Sequence, residues 1–188
     1  LMRRDGDGFV RWDSAQSLAT RIIFEVEAQL LAGTPLDVDP LLISACGDLL
    51  HDESLDPAMV AEMLTLPSEN YLSELASQTG GANVDSIHQA RNAVRKVLGG
   101  ALTQQFLDRY HSLESSASYA PDAGQIAGRC LRNTCLAYLV SADVKHLKLA
   151  SQQYRLAANM TDRLAAFKEI AFHGDDDLRS DILDSFYQ

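Results

Sequence analysis

Apolar residues recur along this chain with the spacing of α-helices. In the first such segment, residues 9–31, they fall mostly three or four positions apart between Trp12 and Leu30, so they share one face of a helix. No segment shows the clean alternation of apolar and polar residues that is typical of a half-buried strand. The pattern therefore predicts an all-α fold.

Start and stop signals divide this pattern into about nine helices. Aspartate followed by proline, at 39–40 and at 56–57, combines a capping residue with the favoured first helical residue. Gly33 lies just beyond the first segment and favours its termination there. The predicted helices are 9–31, 40–50, 58–64, 68–76, 83–113, 122–140, 143–158, 159–172 and a last one from 175, with a polar loop at 115–120.

Two adjacent glycines, Gly99 and Gly100, interrupt the longest predicted helix, 83–113. A glycine inside a helix costs about 1 kcal/mol relative to alanine. This pair therefore predicts either a bend in the helix or a close approach of a neighbouring one. Helices joined by such short polar turns favour a stack of antiparallel hairpins, an armadillo/HEAT-like superhelical array.

Composition narrows the possible partners. The net charge of −10 disfavours nucleic acid and anionic membrane surfaces, since both need a concentrated basic patch. No run approaches the ~20 apolar residues of a membrane span. The three cysteines are too few for a disulfide framework, so a reducing, cytoplasmic location is expected.

The sequence holds no recognisable catalytic or metal-binding motif. HExxH is absent, and no two of the five histidines are three or four residues apart, as a helical zinc site requires. His51, Asp52 and Glu53 are consecutive, and consecutive side chains do not face one another on a helix. A solvated helix end is therefore favoured there over a metal site. Residues 5–8 favour an exposed turn over a calcium loop. No cofactor or metal is expected in this chain.

Two groups of basic residues allow more than one interpretation. Arg129 and Arg132 are expected to hold a neighbouring helix end or a carboxylate; the alternative is contact with another domain or with a peptide. Arg91, Arg95 and Lys96 lie off the apolar face of their helix. A solvated or domain-facing surface is favoured for them, with phosphate contact as the alternative.

Four short runs carry a resemblance to a known family. They occur in an order, and at approximate spacings, similar to those in the helical C-terminal domain of the bacterial zinc aminopeptidase N family, the alanyl aminopeptidases. The runs span 11–18, 56–68, 131–136 and 159–166, and their signature residues are Arg11, Trp12, Asp13, Gln16, Leu66, Pro67, Ser68, Arg132, Asn133, Asn159, Thr161 and Asp162.

This resemblance implies a parent enzyme that releases N-terminal residues from peptides with the help of zinc. Its helical domain forms a cup over a thermolysin-like catalytic domain, encloses the active site and limits substrate access. Residues 1–188 are then expected to be a truncated part of that domain, with both ends inside a longer polypeptide. The implied partners are the catalytic domain of the same polypeptide and peptide substrates.

The resemblance also implies that the zinc ligands and the general base lie in a domain that this chain lacks. No residue here is therefore expected to be catalytic or to bind zinc, the signature residues are expected to be structural, and the chain alone is predicted to be inactive. The alternative is a free-standing α-solenoid that binds a protein partner along its concave face.

Overall fold

Ten α-helices and one short 3-10 turn form the regular structure in this computed structural model, which describes residues 2, 5–78, 80–114 and 118–187. The all-α prediction is confirmed. The helices are α1 (Gly8–Ala32), α2 (Pro40–His51), α3 (Pro57–Leu64), α4 (Glu69–Ser77), α5 (Val84–Ala101), α6 (Thr103–Ser112), α7 (Ala123–Ala142), α8 (Leu147–Leu156), α9 (Met160–His173) and α10 (Asp176–Tyr187), and the 3-10 turn is Val144–His146.

Side-chain caps begin most of these helices where the sequence predicted them. Asp39 and Asp56 accept hydrogen bonds from the backbone nitrogens of Leu41, at 2.8 Å, and Ala58, at 2.9 Å. Each satisfies an amide that the first helical turn leaves without a partner. Ser68, Asn83, Asp122 and Asn159 cap α4, α5, α7 and α9 in the same way.

The predicted capping box at the start of α7 is half formed. The backbone nitrogen of Gln125 donates to Asp122 at 2.9 Å. The Gln125 side chain does not return to Asp122; it accepts from the backbone nitrogen of Ala120 at 2.9 Å. It therefore fastens the end of the preceding loop. Of that loop, predicted at 115–120, residues 118–120 are irregular and 115–117 lie outside the described residues.

The segment predicted as one helix at 83–113 is two helices, which is why ten are found where about nine were predicted. Leu102 separates α5 from α6 with backbone angles of φ −113° and ψ 22°. Its side chain is buried, so tertiary packing accompanies the break. Gly99 lies one turn earlier, where an added Cβ would clash with the carbonyl oxygen of Tyr138 on α7. Close helix approach, the second alternative, therefore explains Gly99.

Helix α7 lies at the centre of the stack. It packs against α3, α5, α6 and α9, while α8 and α9 pack together as a helical hairpin. One continuous core runs through the described residues, from Ala15 on α1 to Ile182 on α10. Because α7 packs against helices on both sides of it, its polar side chains can form hydrogen bonds towards either end of the stack. In the described ranges, no helix combines the length and hydropathy that crossing a bilayer requires.

Candidate functional site

A buried glutamine on α8 connects four helices. The Gln153 side chain, in a residue only 3% exposed, accepts a hydrogen bond from the Tyr110 hydroxyl at 2.9 Å. Its amide nitrogen donates to Asn133 Oδ1 at 2.7 Å and to the backbone oxygen of Asp162 at 2.9 Å. Both polar atoms of the buried amide thus have partners, as burial demands.

The Asp162 carboxylate is the second centre of this network. Asn133 Nδ2 donates to one of its oxygens at 3.0 Å, and Asn159 Nδ2 donates to the other at 2.8 Å. In return the backbone nitrogen of Asp162 donates to Asn159 Oδ1 at 2.9 Å, which is the cap of α9. The start of α9 is therefore fixed to α7 by side chains from two of the four signature runs, and to α8 by Gln153.

Arg132 extends the network to the surface. Its guanidinium carbon lies 4.4 Å from the centre of the Tyr110 ring, and its Nη2 donates to the Tyr110 hydroxyl and to Glu114 Oε1, each at 3.1 Å. Burial raises the pKa of Tyr110, although the Arg132 charge opposes that shift. The Glu114 contact is the carboxylate pairing that the structural interpretation of Arg132 requires.

Arg129, one turn before Asn133, contacts the segment that leads into α7. It donates to Gln125 Oε1 at 3.2 Å and to the backbone oxygen of Ala120 at 3.5 Å. Its guanidinium carbon lies 5.1 Å from the centre of the Tyr119 ring, within the range of a cation–π contact. In this structure Arg129 thus orders the connection that enters α7.

An open cleft of about 920 Å³ lies beside the network, between α6, α7, α8 and the start of α9. Arg129 and Arg132 supply positive charge to its wall, whereas Glu114 and Asp162 supply negative charge. The cleft wall therefore offers both donors and acceptors of hydrogen bonds to a peptide or another polar ligand. The described part of this wall pairs no nucleophile with a general base, which acyl-transfer chemistry would need.

A second cluster of signature residues surrounds the loop at 64–67, between α3 and α4. The Tyr138 hydroxyl, buried in the core, donates to the Leu64 carbonyl at 2.6 Å. Gln16 on α1 donates from its side-chain nitrogen to the Thr65 carbonyl at 2.9 Å. These two bonds reach the loop from α7 and α1, so the loop joins both helices.

Arg91 holds the rest of this loop. Its Nε donates to the Pro67 carbonyl at 2.7 Å and its Nη2 to the Leu66 carbonyl at 3.2 Å. Ser68 then caps α4 by accepting from the Tyr71 nitrogen at 3.2 Å. Four consecutive carbonyls, at 64–67, thus all accept from side chains, and the loop has a single well-defined course.

The remaining signature residues are Arg11, Trp12, Asp13 and Thr161, and they take no part in the described hydrogen bonds of either cluster. Arg11 donates to the Met2 carbonyl at 3.0 Å, and Trp12 packs against the core. Asp13 and Thr161 are exposed. The structural role assigned to the whole signature set therefore has visible contacts for most of its members, and it stays a prediction.

Sequence reasoning missed two important donors, Gln153 and Tyr138. It placed Arg91 on a solvated or domain-facing surface, whereas Arg91 donates to the 64–67 loop. Gln153 lies three residues after Ala150, on the buried face of α8. A polar residue at such a position is itself a signal, because its amide must find partners inside the core. Tyr138 and Arg91 give no comparable signal, since their acceptors are distant in sequence.

The described residues contain no group of three or more histidine, cysteine, aspartate or glutamate side chains placed to hold a metal ion. His51 Nδ1 lies 2.8 Å from the Gly47 carbonyl at the end of α2. Asp7 caps α1 by accepting from the Phe9 nitrogen at 2.8 Å. The two motifs weighed as metal sites thus have ordinary roles at helix ends.

The fold and these clusters define a helical-repeat domain. Residues 1–188 match the family model described as "Domain of unknown function (DUF3458_C) ARM repeats". The chain belongs to this family.

The chain is also similar to aminopeptidase N of three bacteria, which confirms the predicted resemblance. The identity is 38% over 168 residues with the enzyme of Escherichia coli (strain K12), covering 88% of this chain and 19% of that protein. It is 30% over 166 residues with that of Haemophilus influenzae (strain ATCC 51907 / DSM 11121 / KW20 / Rd), covering 88% and 18%. It is 30% over 167 residues with that of Caulobacter vibrioides (strain ATCC 19089 / CIP 103742 / CB 15), covering 87% and 18%.

The chain thus spans about a fifth of the length of these relatives, and it corresponds to part of their C-terminal domain. Among solved structures, Legionella pneumophila aminopeptidase A in complex with aspartic acid has the same fold, with a TM-score of 0.80 and 22% identity. That match covers 99% of this chain and 22% of the other.

Proposed function

We propose that this chain is a non-catalytic helical domain of a zinc-dependent aminopeptidase, and that it encloses the active site and limits substrate access. Residues 1–188 pack, in this proposal, against a catalytic domain of the same polypeptide, which supplies the zinc ligands and the general base. The single observation that carries the proposal is the similarity to aminopeptidase N over 88% of the chain, within relatives about five times as long.

The two polar clusters support such a role through rigidity. A domain that selects substrates by size has to keep the shape of the opening it encloses when peptides bind. The Gln153 network fixes α6, α7, α8 and α9 to one another, and the bonds to the 64–67 loop fix α1, α5 and α7. Buried hydrogen bonds rigidify a core and specify one arrangement of it when their polar atoms are paired, as both polar atoms of the Gln153 amide are.

The cleft beside Arg132 supports the proposal through its chemistry. Its wall offers hydrogen-bond donors, acceptors and both signs of charge, which suits transient contact with the varied side chains of peptides. Tight binding of one ligand would instead call for an apolar pocket with a few convergent polar groups.

The full-length protein that contains these residues provides the decisive test. We would compare the kcat/KM values for alanyl p-nitroanilide, a short peptide and a folded protein with an accessible N-terminal alanine. Gln153→Ala should raise cleavage of the folded protein relative to the nitroanilide, because it loosens the wall. Gln89→Ala, at an exposed glutamine that does not line the cleft, should leave that ratio unchanged.

Two further results would decide against the proposal. One is measurable turnover of alanyl p-nitroanilide by the 188-residue chain alone, or zinc bound to it in a 1:1 ratio. The other is a gene in which no HExxH-bearing domain accompanies these residues, a result that would favour a free-standing interaction module.

A further inference from the structure

A small pocket opens between the 64–67 loop, α5 and α7. Its volume is about 240 Å³. Two arginines of α5, Arg91 and Arg95, line it together with Asn133 and Tyr138 of α7. The remaining wall consists of Leu64, Thr65, Leu66, Thr134 and Ala137. The pocket therefore combines cationic and apolar surfaces and is separate from the cleft beside Arg132.

The two arginines are held differently. Arg91 is fixed by its bonds to the loop carbonyls. Arg95 is only partly exposed, and its guanidinium carbon lies 5.8 Å from the centre of the Tyr138 ring. Within the described ranges, no oxygen accepts a hydrogen bond from the Arg95 guanidinium. A planar group with five donors is thus oriented by an aromatic face, and none of its donors is used by the described residues.

Among the described residues, no carboxylate forms a hydrogen bond or an ion pair with Arg91 or Arg95. The charges of Glu169 and Arg95 attract each other, but no ion pair within 4.0 Å joins them. The Glu169 carboxylate lies 3.7 Å from the His173 ring nitrogen Nε2. Glu69, the carboxylate whose charge reaches Arg91, pairs with His88 at 2.9 Å. Two arginines without a carboxylate partner among the described residues therefore line one pocket of a chain whose net charge is −10.

The close positive charges favour an anion. The pKa of Arg91 is lowered, first by burial and then by the neighbouring Arg95 charge. An anion within reach of both guanidinium groups would relieve this repulsion. The planar fork of arginine matches the two oxygens of a carboxylate, which can accept two parallel hydrogen bonds.

We propose that this pocket binds a small organic carboxylate, whose charge meets Arg95 and Arg91 and whose alkyl arm lies against Leu64, Leu66 and Ala137. A volume of about 240 Å³ suits a ligand of side-chain size. An aspartate or glutamate side chain and the C-terminus of a peptide both present this chemistry. The inference does not depend on the proposed aminopeptidase role.

Titration of the 188-residue chain with N-acetyl-glutamate amide, at constant ionic strength, tests this directly. Chemical shifts of the arginine Nε–H groups report binding. We expect a saturable shift at Arg95, and Arg95→Gln should weaken binding by about tenfold or more, as expected for loss of a charge-assisted pair. Lys96→Gln is the matched control; it removes the same charge from an exposed neighbour and should change affinity by less than about twofold.

Other ligands identify the chemistry and its source. N-acetyl-glutamine amide has the same shape without the charge and should not bind. N-acetyl-alanine carries only a C-terminal carboxylate: tighter binding of it would assign the pocket to peptide C-termini, and weaker binding would assign it to acidic side chains. The proposal is overturned if no shift saturates, if Arg95→Gln binds as the unmodified chain does, or if inorganic phosphate binds more tightly than every carboxylate.

Discussion

Gln153 Nε2 donates to Asn133 Oδ1 at 2.7 Å in the interior of the helical stack. The two residues lie on α8 and α7, 20 positions apart in sequence. Asn133 in turn donates to Asp162 at 3.0 Å. These two amides thus join α7, α8 and α9 by buried hydrogen bonds in addition to the packing of the helices, which makes both residues sensitive positions for stability.

Truncation of the glutamine should be strongly destabilising. Gln153→Ala removes bonds to Tyr110, Asn133 and Asp162 and leaves buried groups without partners. We expect the free energy of unfolding to fall by about 2–4 kcal/mol. Urea denaturation followed by circular dichroism measures the change, and Gln152→Ala at the adjacent exposed position should shift it by less than about 0.5 kcal/mol. Equal effects of the two substitutions would contradict the assigned network.

Loss of the Tyr138 hydroxyl should lower the free energy of unfolding even when the aromatic ring is kept. It donates to the Leu64 carbonyl at 2.6 Å within the core. Tyr138→Phe keeps the ring stacked on Phe106 but leaves that carbonyl without this donor, at an expected cost of about 1–3 kcal/mol. Tyr119→Phe, at an exposed tyrosine, is the control and should be close to neutral in the same denaturation experiment.

The adjacent glycines of α5 should respond in opposite directions to alanine. At Gly99 an added Cβ would clash with the Tyr138 carbonyl, whereas at Gly100 it would meet nothing within 4 Å. Gly99→Ala should therefore destabilise the fold by about 1–3 kcal/mol. Gly100→Ala should stabilise it by up to about 1 kcal/mol, because alanine is the better helix former. Thermal unfolding distinguishes these outcomes, and two shifts of the same sign would contradict the packing of α5 on α7.

Local signals explain which parts of the fold the sequence predicts. Caps such as Asp39 and Asn159 are recognisable because the bond they make lies within three residues. The break at Leu102 is recognisable only in part: the glycines at 99–100 predicted a bend or a close helix approach, but they did not predict that α5 would end at a buried leucine. The Tyr138–Leu64 bond spans 74 positions, so a single sequence contains no trace of it.

The candidate sites follow the same rule. The resemblance identified Arg132, Asn133 and Asp162 as signature residues, and the structure brings them into one network. The sequence could not supply Gln153 as their common partner, because that requires the placement of α8 against α7. The sequence showed Arg91 and Arg95 only as a group of positive charges. The fold distinguishes them, because Arg91 donates to the loop carbonyls and Arg95 lies over the Tyr138 ring.

In the folded chain, one cysteine should react with thiol reagents much faster than the other two. Cys46 and Cys135 are buried, and burial raises the pKa of each thiol to about 12, so neither forms the reactive thiolate near neutral pH. Cys130 is exposed. We expect one equivalent of a thiol reagent such as 5,5′-dithiobis(2-nitrobenzoic acid) to react rapidly with the folded chain at pH 8. All three cysteines should react after unfolding in urea, and rapid native reaction of more than one would contradict the packing around α2 and α7.

Glu169 should make stability depend on pH. Burial raises its pKa in the folded state above the usual value of 4.5, although the charges of Arg95 and His173 oppose this shift. A raised pKa contributes stability that is fully present below the unfolded-state value and is lost as pH rises through the folded-state value. Glu169→Gln cannot ionise, so its free energy of unfolding should rise relative to that of the unmodified chain between about pH 4.5 and pH 7. Glu74→Gln, at an exposed glutamate, removes the same formal charge and corrects for general repulsion within this acidic chain. Urea denaturation across that pH range provides the comparison, and a Glu169→Gln variant that loses relative stability as pH rises would show that the Arg95 and His173 charges outweigh burial.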